Sequence, residues 1–369
     1  MSRAKVFARK AALNTLAVTG AHRLFGNSAA GLGAVLMFHH VRPDTAGDFA
    51  PNAHLEVTPQ FLETAIVRSR QLGYEIVDLD EAMRRIATKS GPPFVVLTFD
   101  DGYRDNFTEA YPVLKRLEAP FTVYVATGLV DRSAPLWWTV LERVIERQEA
   151  IALDTGNGVG YFASRTVSEK RDAFDRIQRW LVAGDEDVQR AAIRDLAWRY
   201  GVDPKAISDA EMMSWDEVKT LAADPLATIG GHTVGHYALA KLPLPRAKAE
   251  VRDGARVLEA VTGRAPRHFA YPYGYPSAAG EREFALLAEL GFATAVTTRP
   301  GVISPAATTP TALPRVSMNG LYQSQRYLDV LLSGVPFLGP GRFLRLAAGR
   351  AAAGARAAAG RIAPSRRSG

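Results

Sequence analysis

Two acidic residues stand side by side in Thr98-Phe99-Asp100-Asp101-Gly102, directly after the apolar run 94–97. Carboxylates at the end of a buried strand are costly unless something compensates them. In a turn opened by Gly102 the two side chains can converge, so that one binds a metal ion while the other stays free as a base. The same letters also suit a plain turn or a helix N-cap. A second cluster, His232-Thr233-Val234-Gly235-His236, follows the flexible Gly230-Gly231. Histidines at i and i+4 share one face of a helical turn and can present two imidazoles to one ion. Alone, such a pair is more often a packed or surface feature, but the chain has only seven histidines. Two histidines and one aspartate would give Zn²⁺ three protein ligands and leave a position for water.

Two further clusters have the same placement. Phe269-Ala270-Tyr271-Pro272-Tyr273-Gly274 is an apolar run closing in an aromatic turn. Such a turn can aim a backbone N–H at a pocket and wall it with a ring, or it can simply pack. Tyr271 and Pro272 are its candidate substrate-facing residues. In Leu36-Met37-Phe38-His39-His40-Val41, histidine ends the first apolar run. A lone histidine there is more often structural than chemical. All four clusters follow strand-like runs, and a parallel α/β barrel gathers the residues at those strand ends around one mouth.

The elements that must hold them alternate. Strand-like runs fall at 34–38, 94–99, 121–126, 228–230, 268–271 and 293–297, near-continuously apolar as parallel strands covered on both faces are. Helical patterns intervene, one opening at Thr58-Pro59 and others spanning about 109–117, 246–261 and 281–290, with Gly263 and Gly291 as C-cap candidates. The stretch of about 132–210 breaks this rhythm: it shows helical patterns at 137–149, 169–181 and 188–200 and no convincing strand. It is too long for an ordinary βα loop, so a helical insertion is expected. Ser214-Trp215-Asp216-Glu217 reads first as a capping box and only second as a substrate-stacking Trp.

The 369 residues, 47% hydrophobic and without cysteine, describe a globular chain with no disulfide, thiolate site or cysteine nucleophile. Its net charge of +7 is unevenly spread. Residues 1–43 hold six basic residues and 330–369 hold seven, with no acid in either, so the other 32 basic residues face all 38 acidic ones and leave the body at −6. An acidic body without a basic stripe speaks against nucleic acid as a partner. The weak apolar stretch 11–21, with Asn14 and two threonines, suits an amphipathic helix able to touch anionic lipid better than a signal peptide. The expected location is therefore the cytoplasm or the inner membrane face. The Ala/Gly/Arg end reads as a solvated tail, with a peripheral membrane contact as the alternative.

With TFDDG at 98–102, HTxxH at 232–236 and FAYPYG at 269–274 in this order, the sequence resembles the polysaccharide deacetylases, the carbohydrate esterase family 4 or NodB-homology enzymes. The likeness extends over roughly 33–320 outside the insertion. It is closer still to the exopolysaccharide deacetylase branch, through LMFHHV and the following VTPQFLETAI and LGYEIVDLDEA. The resemblance implies a distorted (β/α)7-type barrel over 33–330, with the insertion at about 132–210, a basic N-terminal segment 1–32 and a tail 331–369. It implies removal of N-acetyl groups from N-acetylglucosamine-type residues of a poly- or oligosaccharide. An O-acetyl glycan esterase and a catalytically silent glycan-binding relative are the alternatives.

Carried over residue by residue, the resemblance makes Asp100 the general base and Asp101, His232 and His236 the ligands of one divalent ion. Zinc comes first, with Co, Ni and Mn also compatible with a His₂Asp set. It makes the Tyr273 backbone N–H an oxyanion donor and His39 the general acid, His40 being the neighbouring alternative. Three departures stand out. Ala270 replaces the usual arginine of the RxPY motif, so whatever orients Asp100 must come from elsewhere. No Leu-x-His follows; the late segment reads Leu313-Pro314-Arg315, and no histidine comes after His268. The insertion bearing Trp137-Trp138 lengthens the chain beyond the minimal domain.

Overall fold

The computed structural model describes residues 3–44, 47–156, 158–304, 308–339 and, singly, 341, 343 and 345. Seven strands form a closed, all-parallel barrel: β1 (Gly33–Phe38), β2 (Phe94–Phe99), β3 (Phe121–Val125), β4 (Ala227–Gly231), β5 (His268–Ala270), β6 (Thr294–Pro300) and β7 (Leu313–Ser317). Closure comes from β1, which pairs β2 in register from Gly33↔Phe94 to Phe38↔Phe99 on one side and β7 through Leu36↔Val316 on the other. A two-residue strand, Glu75–Ile76, extends the ladder at the start of β2, before β3 joins at Leu97.

Burial explains the apolar runs. Every residue of β1, β2 and β3 is buried. Val35, Phe94, Val96, Tyr124, Ala270, Val296 and Leu313, drawn from six of the strands, make one inner cluster. The alternate residues Leu36, Phe38, Leu97, Phe99, Val123 and Val125 join the outer core under the helices. β7 is the strand that the hydropathy pattern does not reveal, because it carries Pro314 and Arg315 within five residues.

Helix boundaries follow local chemistry. Thr58 Oγ1 accepts from the Phe61 N–H, 3.1 Å, at the start of Pro59–Gln71. Leu244–Thr262 stops at Gly263, whose φ of 75° is left-handed. Ser214 and Glu217 form the expected capping box, and the Trp215 indole donates to Asp131 Oδ1, 2.7 Å. The 109–117 pattern is realised as a π-turn, Asn106–Ala110, running into Tyr111–Arg116.

The insertion is helical as expected in Trp137–Arg147, Val167–Ala183, Glu186–Arg199 and Pro204–Glu211. The expectation that it holds no strand is wrong. Ala150–Asp154 and Val159–Ala163 pair as an antiparallel hairpin. Its strands are five residues each and one contains Gly160, so neither stands out as a run, and Ile151 and Leu153 are buried only because helices lie beneath them. Ahead of the barrel lie two helices, Arg3–Val18 and Ala21–Ala29; Leu13 is buried and the Arg9 guanidinium lies 5.4 Å from the Tyr322 ring centroid. The 11–21 stretch straddles the link between them rather than forming one helix. Most of the tail 331–369 lies outside the described residues. Among the described residues, no helix is long and apolar enough to cross a membrane.

Candidate active site

β2 ends at Phe99, and Asp100 keeps one more ladder bond, its N–H donating to Phe38 O at 3.0 Å. Asp101 then adopts φ 76° and Gly102 φ 87°. Left-handed backbone is unfavourable for a non-glycine residue and persists where the surroundings impose it. Asp101, Thr233, His236 and Tyr273 are four of the seven non-glycine residues with positive φ among those described, so this strain is concentrated at one mouth of the barrel.

His232 Nε2 and His236 Nε2 each lie 3.2 Å from Asp101 Oδ1. The donor atoms of the three residues fall within 4.8 Å of one another, and all three residues are buried. His232 Nδ1 lies 2.7 Å from Ala270 O, which can only accept, so Nδ1 carries a proton and, in the neutral tautomer, Nε2 turns a lone pair toward the carboxylate. Asp101 Oδ1 has no hydrogen-bond partner. Lone pairs converging on a buried, unpartnered carboxylate oxygen repel unless a cation lies among them, and the donor set fits a divalent ion. Burial lowers His236, against the pull of Asp101.

The histidines do not converge through a helix, as their spacing suggested. Residues 232–238 are a loop with Thr233 at φ 65° and His236 at φ 54°. Charged side chains hold it from two sides. Glu250 accepts from the N–H groups of Val234 (3.1 Å) and Gly235 (2.8 Å). Buried Arg190, from the insertion, donates to the carbonyls of Gly235 (2.7 Å) and His236 (3.1 Å). Gly128 is needed where the loop passes, since a Cβ there would meet Val234 O at 2.7 Å.

Asp100 is held by Arg315 of β7. Arg315 Nη1 and Nη2 donate to Asp100 Oδ1 and Oδ2, both at 2.6 Å, while Nε donates to Thr297 O at 2.8 Å and Nη1 also reaches Thr98 Oγ1 at 3.2 Å. The guanidinium is fully buried. Burial would raise the Asp100 carboxyl, yet the charge and hydrogen bonds of Arg315 bring it below its ordinary value. Sequence reasoning missed this residue. Its one signal was an arginine in an otherwise apolar run after the absence of an arginine at 270.

His39 and His40 are separated by strand alternation. His39 faces the pocket, its Nε2 3.9 Å from Asp100 Oδ2, and burial lowers its pKa despite the two aspartates. His40 does not line the pocket; its Nδ1–H donates to Asp105 Oδ2 at 2.7 Å and its ring stacks on Tyr103. Tyr273 reaches the pocket because its φ of 61° folds the turn back, and its ring lies 4.9 Å from that of His236. Its N–H donates to no described residue, while its hydroxyl accepts from the Trp137 indole at 2.8 Å. Neither Tyr271 nor Pro272, the expected substrate-facing pair, lines the pocket. Tyr271 still extends β5 through its N–H to Val296 O, which sends its ring into the outer core, where its hydroxyl donates to Thr311 O at 2.8 Å. The pocket of about 290 Å³ is completed by Asn52, His54, Trp137, Trp138 and Tyr275.

Residues 87–294 match the family model described as Polysaccharide deacetylase. The Bacillus subtilis (strain 168) protein named "Putative polysaccharide deacetylase YxkH" is 29% identical over 93 residues, 25% of this chain and 30% of that protein, so the match spans under a third of its length. Among solved structures, IcaB from Ammonifex degensii is 20% identical with a TM-score of 0.51, covering 81% of this chain and 97% of that one. Streptococcus pyogenes deacetylase PplD, solved in complex with acetate, is 18% identical with a TM-score of 0.51, covering 78% and 92%. These two share the fold.

Proposed function

The chain belongs to the polysaccharide deacetylase family, and on that footing we propose that it removes N-acetyl groups from N-acetylglucosamine-type residues of a glycan with the aid of one divalent ion. The observation that carries this reading is the meeting, in one pocket, of the Asp101-His232-His236 set with a second, arginine-held carboxylate and a separate histidine. Asp101, His232 and His236 would hold the ion, with zinc the first choice and Co, Ni or Mn compatible. When bound, it supplies a water of lowered pKa and a polarised carbonyl.

The chain's own groups account for the protons. Arg315 occupies one lone pair on each Asp100 oxygen and keeps the group ionised, leaving acceptor sites toward the pocket for a water proton. As the water oxygen bonds to the acetyl carbon, the Tyr273 N–H donates to the carbonyl oxygen that gains charge. The C–N bond then breaks while His39 gives its proton to the sugar nitrogen, which cannot leave as an anion. The products are acetate and a free amine. An O-acetyl ester needs this proton less, so a histidine beside the base favours the amide. The silent-relative reading rested on Ala270, and Arg315 supplies the missing cation. Contact of the basic ends with an anionic membrane surface belongs to the same proposal, supported by the absence of any acid in residues 1–43 and 330–369.

The test is acetate release from N-acetylglucosamine oligomers and from acetylated xylan, before and after chelation. Release from the former, lost with the metal and restored by adding it back, is the expected result. Activity that survives confirmed metal loss refutes the metal-dependent reading.

A further inference from the structure

His236 is held differently from its partner His232. The His232 ring is fixed by its Nδ1–H, which donates to Ala270 O, and metal-binding imidazoles are ordinarily oriented by such a bond from the second ring nitrogen. His236 Nδ1 is buried and meets no hydrogen-bond partner among the described residues. Aromatic rings pack against it instead. The Trp138 ring centroid lies 5.0 Å from that of His236 with the planes at 59°, and the Tyr273 ring lies 4.9 Å away at 70°. Both rings are anchored through the two tryptophans that open the insertion's first helix, Trp137–Arg147. The Trp138 indole N–H donates to the Tyr103 hydroxyl at 3.0 Å, and the Trp138 carbonyl accepts from the Asn52 amide at 3.2 Å. The Trp137 indole N–H donates to the Tyr273 hydroxyl at 2.8 Å. We propose that Trp138 is a positioning residue for the metal centre: its ring, locked by Tyr103, keeps His236 in the orientation that turns Nε2 toward Asp101, and does the work of the missing hydrogen bond. This rests on the divalent-ion part of the reading above and gives the insertion a share in building the ion site.

The physical need for such a residue follows from the side chain itself. The torsion that turns an imidazole about its Cβ–Cγ bond has broad, shallow wells, so a ring without a hydrogen bond takes its direction from whatever packs on it. Here the packing is rigid. Trp138 is buried, and the Tyr103 hydroxyl that holds its indole belongs to a fully buried residue of the outer core. The His236 backbone, at φ 54° in an irregular loop, offers no helical neighbour to do the same. Trp138 also lines the pocket, so a plain wall for the sugar is the competing role. Its one polar edge is already spent on Tyr103, which leaves a wall residue only ring contact with substrate. A wall acts on substrate affinity, whereas a positioning residue acts on the ion before any substrate arrives, and this separates the two.

The test titrates the full-length, metal-free chain with Co²⁺ against a competing chelator and records the visible ligand-field spectrum of the loaded protein, with no substrate present. Trp138→Leu removes both the ring and its anchor and should bind Co²⁺ at least about tenfold more weakly, with a shifted spectrum. Trp138→Phe keeps a ring but not the N–H and should fall between that variant and wild type. Ile145→Ala, about two turns further along the same helix and away from the pocket lining, removes core packing and should bind Co²⁺ as wild type does. Affinity and spectrum unchanged in Trp138→Leu overturn the proposal. An equal weakening in Ile145→Ala also overturns it, by tracing the loss to a loosened fold. Should Trp138→Leu not fold, Trp138→Phe decides: a threefold or greater weakening with a shifted spectrum supports the proposal, and values equal to wild type overturn it. In each overturning case wild type still takes up one Co²⁺, and the deacetylase reading stands. A wild-type chain that takes up no Co²⁺ overturns the ion reading and this proposal together.

Discussion

Arg315→Met is the most informative perturbation, because it removes the cation held on Asp100 without touching Asp101, His232 or His236. The wild-type pair is buried, with Asp100 2% exposed and both guanidinium contacts at 2.6 Å. Removing one partner of such a pair leaves an uncompensated charge, worth about 3–5 kcal/mol of stability near neutral pH. Linkage gives this cost a direction. With Arg315 present the Asp100 pKa is depressed below 3.8, so its contribution to stability is present above that value and lost as pH falls through the folded pKa. Without Arg315, burial dominates and raises the carboxyl, so the contribution reverses and stability declines as pH rises above about 3.8. Denaturant melts should therefore show a larger deficit at pH 8 than at pH 5. Asp100→Asn introduced on top of Arg315→Met should recover much of the loss, since no carboxylate is then stranded. In kinetics, a misplaced and partly protonated base should lower kcat by about 10²–10⁴-fold and move the acid limb of the pH–rate profile upward. Arg315→Lys keeps the charge but not the two-pronged geometry and should fall between. An Arg315→Met enzyme within threefold of wild type, with an unmoved acid limb and an unchanged melt, would refute the reasoning.

Asp100→Asn should abolish measurable turnover yet retain one equivalent of metal by elemental analysis; loss of the metal would mean that Asp100 belongs to the ion site. Arg190→Met should weaken metal binding about 10–100-fold in a chelator competition, since groups that orient a metal's ligands, as Arg190 does by holding the carbonyls of Gly235 and His236, commonly carry that much. An unchanged affinity would show that Glu250 alone holds the loop. Glu142 accepts from the Asn52 amide at 2.6 Å on the wall of the pocket, and burial pushes its carboxyl up to about 7. A raised carboxyl contributes stability below its unfolded pKa of 4.5 that is lost as pH rises through 7, so Glu142→Gln should gain on wild type by about 1–3 kcal/mol more at pH 8 than at pH 5. Parallel melts of the two proteins across that range would settle this; a constant difference contradicts it.

Much of the barrel was legible because its strands are covered on both faces. The 94–99 run is β2 residue for residue, and the other five runs differ from their strands by a few residues at most. The four polar clusters after those runs do reach one mouth, save for Tyr271, Pro272 and His40. What was illegible depended on partners distant in the chain. The hairpin in the insertion has no face of its own until helices cover it, and the HTVGH loop is held by Arg190 and Glu250, 45 and 15 residues away from Gly235. The neighbours His39 and His40 are chemically identical, and only the direction of β1 at its end turns one inward and the other toward Asp105.

Arg315 shows the division most clearly. A strand reports itself through residues that touch their near neighbours, so local pattern and composition determined the α/β alternation, the insertion and the reactive side-chain types. The cation beside Asp100 is 215 residues away in sequence, and in isolation its segment reads as a loop with proline and a surface charge. Only closing β7 against β1 and β6 brings that charge inside, where low dielectric makes a pairing with Asp100 obligatory. Residue types and short spacings were therefore decided along the chain. Which base is held and which histidine faces the pocket were decided by tertiary closure, because those depend on contacts that exist only once the barrel is complete.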